Sequence, residues 1–219
     1  MVKKILTKRQ LLILETIAKD ALIQKNFYLT GGTALAGFYL RHRFSEDLDF
    51  FSEQEFDATA ISAFFQKTKK ELNIKKIDFQ QSYNRNLFFL HFSNEIVKTE
   101  FTYFPFHEIE TPIIKCGIQI DNLIDIAVNK LFSIYQRSVA RDYIDLYCII
   151  QDTGWTIAEL TKKTKIKFDF HIDPLQLGAQ FIKAETVADL PRMIKRIPEQ
   201  KWRNFFLKEA EKFKNQILR

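Results

Sequence analysis

Residues 31–51 read GGTALAGFYLRHRFSEDLDFF. Residues two apart on a strand face the same way, so Asp47 and Asp49 project together while Leu48 and Phe50 point to the other side. Two carboxylates side by side repel unless a cation lies between them. A hard divalent ion, Mg2+ or Mn2+, takes oxygen ligands of this kind. Upstream, Gly31 and Gly32 let the backbone approach a phosphate closely. A helix beginning at Thr33 would turn free N–H groups and a positive dipole end toward it, and the Thr33 hydroxyl adds a donor. A phosphate seat facing an Asp-x-Asp pair is what phosphoryl or nucleotidyl transfer requires. Taken alone, either half of the pattern also fits an ordinary strand-to-helix turn or an acidic edge strand.

Working outward, 7–23 carries apolar residues at helical spacing, and Thr7 with Gln10 forms a capping-box pattern. Residues 26–32 read as a strand ending in a turn, 33–43 as a short helix and 47–51 as a strand. Asp57 opens a helix to about residue 72, with Ile61, Phe64, Phe65 and Thr68 on its buried side. From 74 to 120 the chain is rich in aromatic and β-branched residues, and an antiparallel meander joining the 47–51 strand is expected. After Asn122 the pattern is helical: two helices broken near Ser138, then 156–167, 173–186 and 198–218. The expected fold is α+β, with a mixed β-sheet and flanking helices over 1–120 and a C-terminal helical bundle over 121–219.

The remaining features set bounds. A net charge of +6 favours polyanionic partners. Two cysteines, Cys116 and Cys148, give no disulfide framework and no zinc site, and a reducing cytoplasm is the expected compartment. The basic N-terminal run is followed by an apolar stretch broken by Glu15, Lys19 and Asp20, unlike a signal peptide. No apolar run approaches the ~20 residues of a membrane span. His91, His107 and His171 lack ligand spacing, and the basic stretch 192–219 reads as a solvated helix face or an RNA-backbone contact.

The stretch at 31–51 closely resembles the first motif of the nucleotidyltransferase superfamily, in the form seen in AbiEii-type toxins of type IV toxin–antitoxin systems. That motif runs Gly-Gly-Thr/Ser, a helix, then His-Arg-x-Ser-x-Asp-Leu-Asp-Phe. DIAVNKLFSIYQRSVARDYIDLY at 125–147 resembles the family's later motif, a lysine-bearing helix followed by Arg-Asp-x-x-Asp-Leu. The resemblance implies the nucleotidyltransferase fold and an NTP substrate. It makes Asp47 and Asp49 metal ligands, and Glu100 the candidate third carboxylate, serving as ligand and as base. It places Gly31, Gly32, Thr33, Arg43, Ser45, Lys130, Arg137 and Arg141 at the nucleotide. Lys130 would touch the triphosphate, Asp145 would be an essential acid, paired four residues back with Arg141, and Asp142 a secondary candidate. His42 is expected to be structural or near the phosphates.

The active site is then expected between the sheet half and the helical half. The reaction implied is Mg2+-dependent transfer of a nucleoside monophosphate to an acceptor hydroxyl, with the tRNA 3′ end as acceptor and a cognate antitoxin as partner. A protein-modifying nucleotidyltransferase, a metal-dependent nuclease and a non-catalytic nucleotide- or RNA-binding module are the alternatives the residues leave open.

Overall fold

The alternation in the 47–51 strand decides how the sheet is laid. A one-residue slip would turn Leu48 and Phe50 outward, at about 1.5–3 kcal/mol each, and would bury two carboxylates in their place. In the structure, a computed structural model that describes residues 5–217 and side chains up to residue 213, Leu48 and Phe50 are buried and Asp47 and Asp49 are half-buried. The basic start of the chain, residues 1–4, lies outside the described residues. So do residues 218 and 219, at the end of the last expected helix, and the side chain of Lys214.

The strands are β1 (Tyr28–Thr30), β2 (Leu48–Ser52), β3 (Lys76–Ser82), β4 (Arg85–His91), β5 (Ile96–Tyr103), β6 (Ile113–Lys115) and β7 (Ile118–Ile120). They form one seven-stranded mixed sheet in the order β3-β4-β5-β2-β1-β7-β6. β3, β4 and β5 make the expected antiparallel meander, and β5 joins β2 in parallel. The meander does not continue as expected. The β6–β7 hairpin, turned by Cys116 and Gly117 with φ of 53° and 77°, lies on the far side of β1 and pairs with it in parallel.

One face of this sheet is covered by α4 (Ala58–Thr68), capped by Asp57, whose buried residues are Ile61, Phe64, Phe65 and Thr68. Phe50 stacks on Phe101 at 5.0 Å, and Phe65 meets Phe88 at 5.2 Å. This apolar layer forces the acids of β2 to the opposite face.

The expected single helix over 7–23 is two. α1 (Lys8–Ile17) starts at the Thr7–Gln10 capping box, and α2 (Ala21–Asn26) starts at Asp20. The Asp20 carboxylate accepts from the backbone N–H groups of Leu22 and Ile23, which fixes a new helix start where a through-helix would need an unbroken turn.

The chain divides into two compact units. The first comprises the residues up to Tyr39 with Ser45–His107 and Thr111–Asn122; the second comprises Leu40–Phe44, Glu108–Glu110 and the chain from Leu123 on. The two short exchanged segments were not anticipated by a single boundary near residue 120. The second unit holds α5 (Leu123–Gln136), α6 (Ala140–Thr153), α7 (Ile157–Phe168), α8 (Pro174–Ile182) and α9 (Glu199–Ile217). Trp202 and Phe206 of α9 are buried against Tyr143, and Phe206 also meets Phe181. Within this unit the fully buried Asp125–Lys167 pair, at 2.6 Å, also accepts from the N–H groups of Ile109 and Glu110, which ties that short segment to α5.

Candidate active site

Asp49 lies opposite Glu100 in the parallel pairing of β2 with β5. By the two-residue period, Asp47, Asp49, Lys98 and Glu100 share the sheet face that α4 leaves open. Lys98 Nζ is 2.8 Å from Asp47 Oδ2 and 3.9 Å from Glu100 Oε2. Arg85 reaches across from β4 and grips Glu100 bidentately, with Nε to Oε1 at 2.6 Å and Nη2 to Oε2 at 2.7 Å. The Thr102 hydroxyl donates to the same carboxylate at 2.9 Å. Burial pushes the Glu100 carboxyl up, but the bonds from Arg85 and Thr102 and the charges of Arg85 and Lys98 outweigh it, and the net direction is down. Glu100 is therefore held ionised.

The backbone that carries the aspartates is fastened at two points. Gln10 accepts from the Thr7 N–H through its side-chain oxygen and donates through Nε2 to the carbonyls of Ser45, at 2.9 Å, and Glu46, at 3.0 Å. The buried Thr33 hydroxyl donates to the carbonyl of Asp47. Thr33 was expected at a phosphate, but this bond makes it a brace for Asp47. Ser45 contributes its backbone carbonyl to the Gln10 contact.

The glycine turn meets the acids directly. Thr30 pairs with Asp49, and Gly31 has a φ of +69°. A Cβ on Gly31 would come within 2.8 Å of Asp49 Oδ2, so only glycine lets the turn and the carboxylate lie this close. A helical run starts here at Gly31, not at Thr33 as expected. α3 (Gly31–Ala34) passes into a π-helical stretch, Leu35–Leu40. The start of the run thus sits beside a carboxylate, where the positive end of a helix stabilises negative charge.

Two carboxylates on one strand face suit a hard cation, and the Lys98 ammonium already stands on Asp47 as a positive charge. The pair fits. Glu100 does not join it in this arrangement, because Arg85 takes both of its oxygens. Among the described residues no group of three His, Cys, Asp or Glu side chains is placed to hold a metal.

The remaining predicted residues gather in the second unit. Asp145, with no exposed surface, accepts at Oδ1 from His42 Nε2 (2.7 Å) and Arg43 Nε (2.6 Å), and at Oδ2 from Arg43 Nη2 (2.7 Å) and Lys130 Nζ (2.7 Å). Lys130 Nζ also lies 2.7 Å from Asp142 Oδ1, and Asp142 Oδ2 is 3.1 Å from Arg137 Nη2. Burial pushes the Asp145 carboxyl up, but Lys130 and Arg43 overturn this and hold it well below the ordinary range. Burial likewise pulls the Lys130 ammonium down, and Asp145 and Asp142 more than offset it.

This cluster corrects several expectations. Arg43 and Lys130 are buried: Arg43 donates to Asp145 and to the Phe44 carbonyl, and Lys130 to Asp142 and Asp145, so in this arrangement both point their donors into the cluster. The Arg141–Asp145 pair does not form: Arg141 is exposed, and Asp145 is filled by donors from elsewhere. Arg137, half-exposed at Asp142, and Arg141 keep surfaces that can meet an anion. The cluster joins the His42-Arg43 end of the first motif to the Asp142 and Asp145 positions of the later one.

Gln10, Arg85 and the bracing role of Thr33 were missed in the sequence. Lys98 was visible through its two-residue spacing from Glu100. Arg85 had no local signal, since its place follows from the β4–β5 register, in which it sits opposite Thr102 and diagonal to Glu100.

Comparison with known proteins accords with this geometry. The model of the family described as nucleotidyl transferase AbiEii toxin, type IV TA system, matches residues 12–215. An uncharacterized protein of Aquifex aeolicus (strain VF5) is 35% identical over 157 residues, which cover 68% of this chain and 71% of that protein. The crystal structure of JHP933 from Helicobacter pylori superposes with a TM-score of 0.60 at 19% identity, covering 95% of this chain and 90% of that one. A second H. pylori structure, described as a proposed nucleotidyltransferase, gives 0.60 at 18% identity, covering 95% and 93%. These two share the fold. With the matched family model spanning nearly the whole chain and its motif residues placed as described, this chain belongs to the AbiEii nucleotidyltransferase toxin family.

Proposed function

We propose that this nucleotidyltransferase moves a nucleoside monophosphate from an NTP to a hydroxyl at the 3′ end of RNA, with tRNA as the acceptor, in a Mg2+-dependent reaction that releases pyrophosphate. The observation that carries the reading is the placing of Asp47, just before β2, and Asp49, within it, two residues apart, with Asp49 against the Gly31 turn. Asp47 and Asp49 would hold the divalent ion, Mg2+ or Mn2+. When bound, that ion neutralises charge on the triphosphate and helps to align it. The backbone of Gly31 and Gly32 would seat a phosphate. Glu100, held ionised by Arg85 and Thr102, is the candidate to take the acceptor's proton. In the second unit, Lys130 and Asp145 would act through the buried cluster, holding the segment His42–Arg43 that leads into the aspartate strand.

Charge favours RNA as the acceptor. The chain carries a net +6, and Arg192, Lys195, Arg196 and Lys201 are exposed along the later part of the second unit. Transfer onto tRNA would stop translation, which suits a toxin held in check by a cognate antitoxin in the cytoplasm. Among the described residues no helix is long and apolar enough to cross a membrane.

The test is incubation with each α-labelled NTP, Mg2+ and total RNA, with Asp49→Ala as the blank. Label in tRNA from one NTP supports the proposal. Label in protein would replace RNA with a protein acceptor. RNA cleavage that needs no NTP would point to a nuclease, and no label anywhere would overturn the reading.

A further inference from the structure

On the sheet face opposite α4, Asp47, Asp49 and Glu100 lie with Arg85 and Lys98. The cations are held very differently. Arg85 makes two short, parallel bonds to Glu100, at 2.6 and 2.7 Å, a geometry that resists exchange. Lys98 makes one bond, at 2.8 Å, to Asp47, and its 3.9 Å separation from Glu100 is beyond hydrogen-bond range. Its side chain is 24% exposed and that of Asp47 is 38% exposed. A single ammonium–carboxylate bond at such a site adds little net stability, and the lysine stem is flexible.

We propose that Lys98 is the exchangeable cation of this face. It holds Asp47 while the face is empty of metal, and it turns to the nucleotide's phosphates when a divalent ion takes Asp47. The inference rests on the reading of Asp47 and Asp49 as ion ligands. Charge gives the reason. A doubly charged ion at Asp47 competes with the ammonium for the same oxygen and repels it. The displaced ammonium remains on the same sheet face, and the anion that a nucleotidyltransferase brings there is the triphosphate of its substrate. Metal and nucleotide binding are then coupled through one side chain. Asp47 is never left without a positive partner, and the ammonium is released where phosphate charge arrives.

Lys98→Met keeps the stem and deletes the charge. In a Mn2+ titration followed by electron paramagnetic resonance, without nucleotide, it should bind Mn2+ about tenfold tighter than the wild type, because the competing charge is gone. With Mn2+ saturating, NTP binding by calorimetry should weaken by a similar factor, and Lys98→Arg should recover most of it. Asp47→Asn should lose the Mn2+ site. A second readout covers folding: Lys98→Met should melt lower than the wild type in chelator and regain the difference when Mn2+ is added. If that variant does not fold, Lys98→Gln takes its place. Mn2+ affinity that is unchanged or weaker in the variant overturns the exchange while leaving the metal site standing. A wild type that binds no Mn2+ overturns both.

Discussion

Replacing Asp145 by asparagine tests whether the buried cluster is a structural hub. The change is nearly isosteric, but it strips the charge that Arg43 and Lys130 share, and it places an NH2 where one of those donors needs an acceptor. Removing one partner of a buried ion pair costs about 3–5 kcal/mol, since the stranded cation stays desolvated. At about 2–4 °C per kcal/mol for a chain of this size, the melting temperature should fall by about 6–20 °C. Circular dichroism melts of Asp145→Asn and Asp49→Asn, run side by side, make the measurement. Asp49 lies in a crowded, half-exposed acid face, so its neutralisation should move the melt by less than about 2 °C while abolishing nucleotidyl transfer. Lys130→Met combined with Asp145→Asn should cost clearly less than the sum of the two single changes, because the lysine change removes a cation that the asparagine has already stranded. An Asp145→Asn protein that melts within about 2 °C of the wild type would refute the reasoning.

Three further expectations follow from the same contacts. Gly31→Ala forces a Cβ toward Asp49 at a positive φ, which costs about 1–2 kcal/mol in backbone strain alone; nucleotidyl transfer should drop more than tenfold with only a few degrees of melting loss, and full activity would count against the close approach. Burial, reinforced by Asp145, pushes the Cys148 thiol up to about 12, so iodoacetamide at pH 8 should alkylate the exposed Cys116 and leave Cys148 unmodified by mass spectrometry. Because the folded Asp145 carboxyl lies below its unfolded value, its contribution is full above the ordinary carboxylate range, about 3.9, and is lost as pH falls through the folded value; melting temperature should drop steeply below about pH 4, and Asp145→Asn should lack that component.

Much of this was legible in the residues. The period of two in 47–50 fixed which side chains enter the core, and with it the face on which the acids stand. The Thr7–Gln10 box and the buried set Ile61, Phe64, Phe65 and Thr68 also follow from local spacing. Features set by distant pairing were not legible. The β6–β7 hairpin could have extended the meander, and nothing local sends it to the far side of β1. Arg141 was the nearest cation to Asp145 in sequence, yet Arg43 came from 102 positions away and won with two bonds from one rigid fork. Glu100 read as an available carboxylate because its partner Arg85 lies on another strand. Thr33 read as a phosphate donor because its bond to the Asp47 carbonyl depends on how the helix lies against β2. Local chemistry placed the acids, and tertiary register decided which of their neighbours are free.

The most direct test of the central claim is a crystal of the protein grown with Mn2+ and a non-hydrolysable NTP analogue, with anomalous scattering used to place the metal. A manganese peak shared by the Asp47 and Asp49 carboxylates, with triphosphate density at the Gly31–Gly32 backbone, is the predicted result. A peak at any other acidic group, with Asp47 still held by Lys98, would contradict it.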